Sequence, residues 1–239
     1  MCSICKGAGW LRTDVPFGHP QFGKPTMCEC RSREISRRIA NKTYIWLGAA
    51  GSEELESMTF TTFRPKANGE SVQQACKRAI DYALRVKCDP VGQQNFLLIG
   101  PYGNGKTHLA AAIMNEARSN GVACLWITGN RLFQALYERN FDEDILKQAI
   151  DVPLLCFDDL DKIQAKKDDD SYQRATLFTL FNDRHLAKRP TIITSNSKDW
   201  GKYLDPALIS RFKGRAEAVA VMGDDYRLIQ AGMSRGACA

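Results

Sequence analysis

The chain has 239 residues, 44% of them hydrophobic and 25% charged, with a formal net charge of +6. That length holds one full domain plus a small extra element, and the composition is that of an ordinary soluble globular protein. No apolar run reaches membrane-spanning length and no apolar leader opens the sequence, so a cytoplasmic protein with no membrane partner is expected, its nine cysteines reduced or metal-bound.

Residues 1–30 read as a small, loop-rich element punctuated by glycine and proline. Cys2-Ser-Ile-Cys5 and Cys28-Glu-Cys30 form a C-x2-C…C-x-C pattern, and Gly7, Gly9 and Trp10 after the first pair resemble a zinc knuckle. Two close pairs can supply four thiolates in a tetrahedron, so Cys2, Cys5, Cys28 and Cys30 are the expected Zn²⁺ ligands, with a structural role. His19 is an alternative ligand. Residues 31–47 read as a helix with Ile35, Ile39 and Tyr44 or Leu47 on its apolar side. Eight Lys or Arg against three acids give residues 1–50 a charge of +5, leaving the rest at +1. That basic end suits an anionic partner such as nucleic acid, or is a solvated helix face. Residues 51–70 read as a linker, with Met58, Phe60 and Phe63 docking it onto the following domain at 71–239. A helix over 71–87 follows, with Ser71 as its N-cap.

From Asn95 strand and helix alternate. Strands are expected at 95–99, 122–127, 153–157, 191–195 and 216–221, and helices at 106–118, 130–139, 143–150 and 171–187. Such alternation implies an α/β fold with a central parallel sheet, its ligands bound at the carboxyl ends of the strands.

Gly100-Pro101-Tyr102-Gly103-Asn104-Gly105-Lys106-Thr107 matches G-x-x-x-x-G-K-[ST] between the first of these strands and a helix beginning at His108. Glycines let successive backbone N–H groups point inward at a polyphosphate, and the helix N-terminus adds partial positive charge. Gly100 and Tyr102 to His108 are therefore expected to hold a polyphosphate. Lys106 would reach the outer phosphates and Thr107 would place its hydroxyl on Mg²⁺. The apolar strand before Asp158-Asp159 places two acids beside that loop, Asp158 for Mg²⁺ and Asp159 to orient or deprotonate water. Asp161 reads as a surface acid. Asn196, at the end of the next strand, would touch the terminal phosphate or the attacking water. Arg211 is expected to act on a neighbouring subunit's nucleotide as an arginine finger, with Arg215 its nearest competitor.

Met58-Thr-Phe60, Gly100–Ala112, Asp158-Asp159, Thr194-Ser-Asn196, Asp205–Phe212 and Gly223-Asp-Asp-Tyr226-Arg227 together resemble the AAA+ ATPases, specifically the bacterial and phage helicase loaders of the DnaC/DnaI type and the transposition helper IstB. The resemblance implies a P-loop AAA+ fold with a reduced or absent helical lid, ATP with Mg²⁺, and self-association into a ring or spiral. It also implies a DnaB-type replicative helicase and single-stranded DNA as partners. By it, Lys106 and Thr107 belong to Walker A, Asp158 and Asp159 to Walker B, Asn196 is sensor 1, Arg211 the trans finger and Arg227 a second sensor. Loaders of the DnaI type also carry an N-terminal zinc element. In related proteins the helical insertion at 130–150 faces DNA; here Arg131, Tyr137, Arg139 and Asn140 would contact it, or Leu132, Phe133 and Leu136 pack while the polar residues are solvated. Two other functions stay open: a transposition helper on double-stranded DNA, and a nucleotide switch that barely hydrolyses ATP, since Asp159 stands where many AAA+ proteins have glutamate.

Overall fold

The computed structural model describes residues 2–226 apart from 13, 14, 18, 20, 21, 32–44, 48–51, 65–69, 138–143, 164–169 and 203. Arg227, Arg139, Asn140, Cys238 and most of the basic stretch 31–42 lie outside the described residues.

Two short strands, β1 (Trp10–Leu11) and β2 (Thr26–Met27), pair antiparallel, Trp10 opposite Met27. The pairing brings the cysteines before β1 beside those after β2, and the Cys28 amide donates to the Gly9 carbonyl at 2.9 Å.

The remaining strands form one six-stranded sheet. They are β3 (Ile45–Leu47), β4 (Asn95–Ile99), β5 (Cys124–Thr128), β6 (Leu154–Asp158), β7 (Thr191–Ser195) and β8 (Ala216–Ala220), in the order β3-β5-β6-β7-β4-β8 with every neighbouring pair parallel. Strand β3 overturns the helix expected through residue 47. Ile45-Trp-Leu47 is β-branched and aromatic, and it pairs with Leu125–Ile127 at the sheet edge.

The helices are α1 (Ser52–Ser57), α2 (Glu70–Cys88), α3 (Lys106–Ser119), α4 (Gly129–Tyr137), α5 (Asp144–Asp151), α6 (Asp170–Leu186) and α7 (Pro206–Gly214). Successive strand residues face opposite ways, so each central strand feeds two cores. On one face Phe96, Leu98, Trp126, Cys156 and Ile192 meet α2 and α3; on the other Leu97, Leu125, Phe157 and Ile193 meet α4 to α7. Cys124 and Cys156 are fully buried, as their apolar strands implied. Leu55 and Phe63 also join the first core, and Met58 and Phe60 pack against it. The stretch expected as a linker thus contributes to the packing of the sheet.

Ser71 is not the N-cap of α2, which begins at Glu70. Its hydroxyl donates to the Ala220 carbonyl and accepts from the Met222 amide, each at 3.2 Å, tying α2 to the end of β8. Arg184 of α6 is 1% exposed and donates to the carbonyls of Ala149, Ile150, Val152 and Pro190 and to the Thr191 hydroxyl. It gathers the end of α5 and the start of β7, and burial pulls its pKa down to about 9.

Candidate nucleotide site and four-cysteine centre

The strand order makes the site. Strand β7 lies between β6 and β4, so their carboxyl ends bring the acids, Asn196 and the glycine loop together. The register sets Thr194 opposite Leu98, while Ile193 is opposite Phe157.

Gly103 and Gly105 have φ of 77° and 88°, the left-handed region that lets the loop turn its amides inward. Gly105 caps α3 without a side-chain hydrogen bond, and the first turn of α3 holds no acid. A 14-residue helix therefore presents its first-turn N–H groups and partial positive charge with no side-chain carboxylate or hydroxyl capping them, which fits a phosphate. Lys106 is 5% exposed and donates to the Pro101 carbonyl at 2.6 Å. Burial lowers its pKa, against the pull of Asp159, Asp161 and Asp158. Asn104 is fully buried and donates to the Val221 carbonyl at 2.8 Å, and Tyr102 is exposed.

Two segments brace the loop from behind. A Cβ on Gly105 would meet the Phe63 ring at 2.6 Å, and one on Gly103 would meet the Asp225 carboxylate at 1.9 Å. The Tyr226 amide donates to the Gly103 carbonyl at 3.0 Å. The His108 side chain faces this scaffold, with Nε2 2.9 Å from the Thr59 carbonyl and its ring against Phe63. Its side chain, expected at the nucleotide, is taken up by this scaffold.

Asp158 is the buried acid. Its Oδ1 accepts from Thr194 Oγ1 at 2.6 Å and from Thr107 Oγ1 at 3.4 Å. Burial, then the neighbouring Asp159, pushes its pKa up to about 6, while the two hydroxyls oppose the rise. Thr107 and Asp158 are thus side by side, as a shared Mg²⁺ requires. Asp159 sits at φ 53°, a left-handed conformation tolerated by Asp, and its amide donates to Thr194 Oγ1 at 2.8 Å. Thr194 hence fixes both acids. In the sequence it stands only within Thr194-Ser-Asn196, and no local pattern gives its role, which depends on β7 lying beside β6.

Asn196 Nδ2 donates to Asp159 Oδ1 at 3.1 Å. Asp161 is not a bystander on the surface. It accepts from the Asn196 backbone amide at 2.8 Å and from its side chain at 3.3 and 3.4 Å. Lys162, also unassigned from sequence, donates to Asp159 Oδ2 at 2.7 Å.

Arg211 lies apart from this network. On the exposed side of α7, it donates to Asn182 of α6. The guanidinium of Arg215, its nearest competitor in the sequence, donates to the carbonyls of Gln93, His185 and Lys188. Arg131 and Tyr137 of the insertion are exposed, and Leu132 and Phe133 are buried.

The sulfurs of Cys2, Cys5, Cys28 and Cys30 all lie within 4.8 Å of one another, with Cys2–Cys28 at 3.9 Å and Cys5–Cys30 at 3.3 Å. Tetrahedral Zn–S bonds of about 2.3 Å would set sulfurs roughly 3.8 Å apart, so the donor set fits zinc. The Gly9 amide donates to Cys5 Sγ at 3.3 Å and brings that thiol down to about 6, while Cys5 and Cys28 push Cys30 up to about 12. His19 stands outside the cluster.

The IstB-like ATP binding protein family matches residues 70–234. The chain belongs to that family. The IstB-like chain is 31% identical over 146 residues to the insertion sequence IS232 putative ATP-binding protein of Bacillus thuringiensis subsp. berliner, covering 57% of this chain and 56% of that protein. It is 30% identical over 141 residues to the replicative helicase loader DnaC of Escherichia coli (strain K12), 56% of each. These matches span little more than half of either relative. The crystal structure of DnaI superposes with TM-score 0.63 at 21% identity, covering 78% of this chain and 98% of that one. That likeness shows that the IstB-like chain and DnaI share a fold. Among the described residues no helix is long and apolar enough to cross a membrane.

Proposed function

We propose that this IstB-like chain hydrolyses ATP and uses the cycle to load a DnaB-type replicative helicase onto single-stranded DNA. The observation that carries hydrolysis is the hydrogen-bonded run Thr107–Asp158–Thr194–Asp159–Asn196 beside an uncapped phosphate loop. Lys106 and the first-turn amides bind the phosphates. Thr107 and Asp158 hold Mg²⁺, which when bound neutralises charge on the phosphate oxygens. Asp159, kept in its left-handed turn by Thr194, orients water and accepts its proton, and Asn196 steadies that carboxylate. Arg211, exposed on α7, serves a nucleotide held by a neighbouring copy in a ring or spiral.

The loader role rests on the similarity to DnaC together with the four-cysteine element ahead of the sheet, which favours it over the transposition helper. Two experiments test it. Pull-down from the source cell with ATP should recover a ring helicase; recovery of a transposase instead would move the chain to the helper role. Turnover of ATP should be lost in Lys106→Ala and Asp159→Ala, and Arg211→Ala should fail only in assemblies. Equal turnover by wild type and Asp159→Ala would remove Asp159 as base.

A further inference from the structure

Asp159 is held at both oxygens. Asn196 Nδ2 donates to Oδ1 at 3.1 Å, and Lys162 Nζ donates to Oδ2 at 2.7 Å. The second contact is built into the chain. Asp159 is the residue on which the 3₁₀ turn Leu160–Lys162 begins, and the Lys162 amide donates to the Asp159 carbonyl at 2.9 Å. The left-handed backbone of Asp159 and this turn bring a lysine three residues on back over the carboxylate.

The ammonium also faces the phosphate loop. It stands 5.5 Å from the centroid of the Tyr102 ring, and its side chain is half-exposed on a flexible four-carbon stem. Lys162 thus has a second set of neighbours within reach, on the side where the terminal phosphate of ATP would arrive beside Lys106. Its present partner is the carboxylate that must take a proton from water. An ammonium on Oδ2 competes with that water for the oxygen.

We infer that Lys162 is a restraining residue on Asp159, and that the ion pair must open, the ammonium leaving Oδ2, before water is activated. This rests on the reading of Asp159 as the water-orienting acid. It gives the chain a brake of its own on ATP turnover, set by one surface lysine and still engaged while ATP is bound. Lys162 acts through Asp159 and is a positioning residue.

The test is single-turnover hydrolysis of pre-bound ATP by the full chain, with ATP affinity measured separately, for wild type, Lys162→Gln, Lys162→Arg and Asp159→Asn. Lys162→Gln should hydrolyse about two- to fivefold faster, the range an exposed ion pair is worth, with affinity changed less than about twofold. Lys162→Arg should restore the wild-type rate. Asp159→Asn, alone and combined with Lys162→Gln, should be inactive. A Lys162→Gln rate no higher than wild type, with Asp159→Asn inactive, overturns the restraint and leaves Asp159 as base. Slower hydrolysis with weaker ATP binding overturns it in favour of a direct phosphate contact. Full activity in Asp159→Asn would instead remove the underlying reading.

Discussion

Replacing Asp158 by Asn should stabilise the protein and abolish the proposed Mg²⁺-dependent ATP hydrolysis. Asp158 is 7% exposed, and its carboxyl titrates at about 6 against an ordinary 3.8. Burial is the main cause and the like charge on Asp159 the second. Between those two pH values the folded protein holds a proton that the unfolded chain has released. Stability therefore falls as pH rises through that window, and the full contribution is present only below the unfolded value. The gap corresponds to about 3 kcal/mol at neutral pH. An amide removes the charge and can still accept from Thr194, but its two N–H groups need partners, so a net gain of about 1–2 kcal/mol is expected, or roughly 2–8 °C in Tm for a chain of this size. Thermal melts of wild type and variant without nucleotide, from pH 4 to 8, give the measurement. The difference should be largest above pH 6 and shrink towards pH 4. Mg²⁺-dependent ATP binding should weaken in wild type as pH falls below about 6, because proton and metal compete for one carboxylate. A variant less stable than wild type at pH 7.5, or a gain unchanged at pH 4, would refute the argument.

Arg184→Met should cost about 3–5 kcal/mol in denaturant unfolding, since the carbonyls at the end of α5 and at Pro190 lose a buried donor together; a loss under about 1 kcal/mol would mean that water replaces the guanidinium. Gly103→Ala forces a Cβ into the Asp225 carboxylate at a left-handed position, so about 1–2 kcal/mol of strain falls on the contact between the loop and residues 221–226. Faster proteolytic nicking of that segment and weaker ATP binding should appear together, and unchanged ATP affinity would show that the segment does not shape the loop. Cys5→Ser should abolish zinc uptake by elemental analysis and loosen the N-terminal element, while the melt of the parallel sheet is retained; full zinc occupancy in that variant would exclude the four-thiolate site.

The elements legible in the sequence are those whose signal is local. Each central strand is a five-residue run bounded by turn residues, and the phosphate loop is fixed by glycines at positions where the backbone must turn left-handed. The acids of β6 and Asn196 after β7 were legible for the same reason, because a polar residue ending an apolar strand stands out. What failed to show was decided by contacts distant in sequence. Three residues of β3 are too few to display a period, and the aromatic run around them suits a helix face equally well until Leu125–Ile127 lies alongside. Ser71 has the chemistry of a cap, yet its hydroxyl is used 149 and 151 residues away. Asp161 and Lys162 look like solvated charges in a polar loop. Their positions follow from the left-handed turn at Asp159 and from the insertion of β7 between β6 and β4, which sets Asn196 against one and leaves the other over the Asp159 carboxylate. Strand order, rather than any motif, therefore turns four separate polar residues into one network, and substitutions in that network should couple non-additively even where the residues are far apart in the chain.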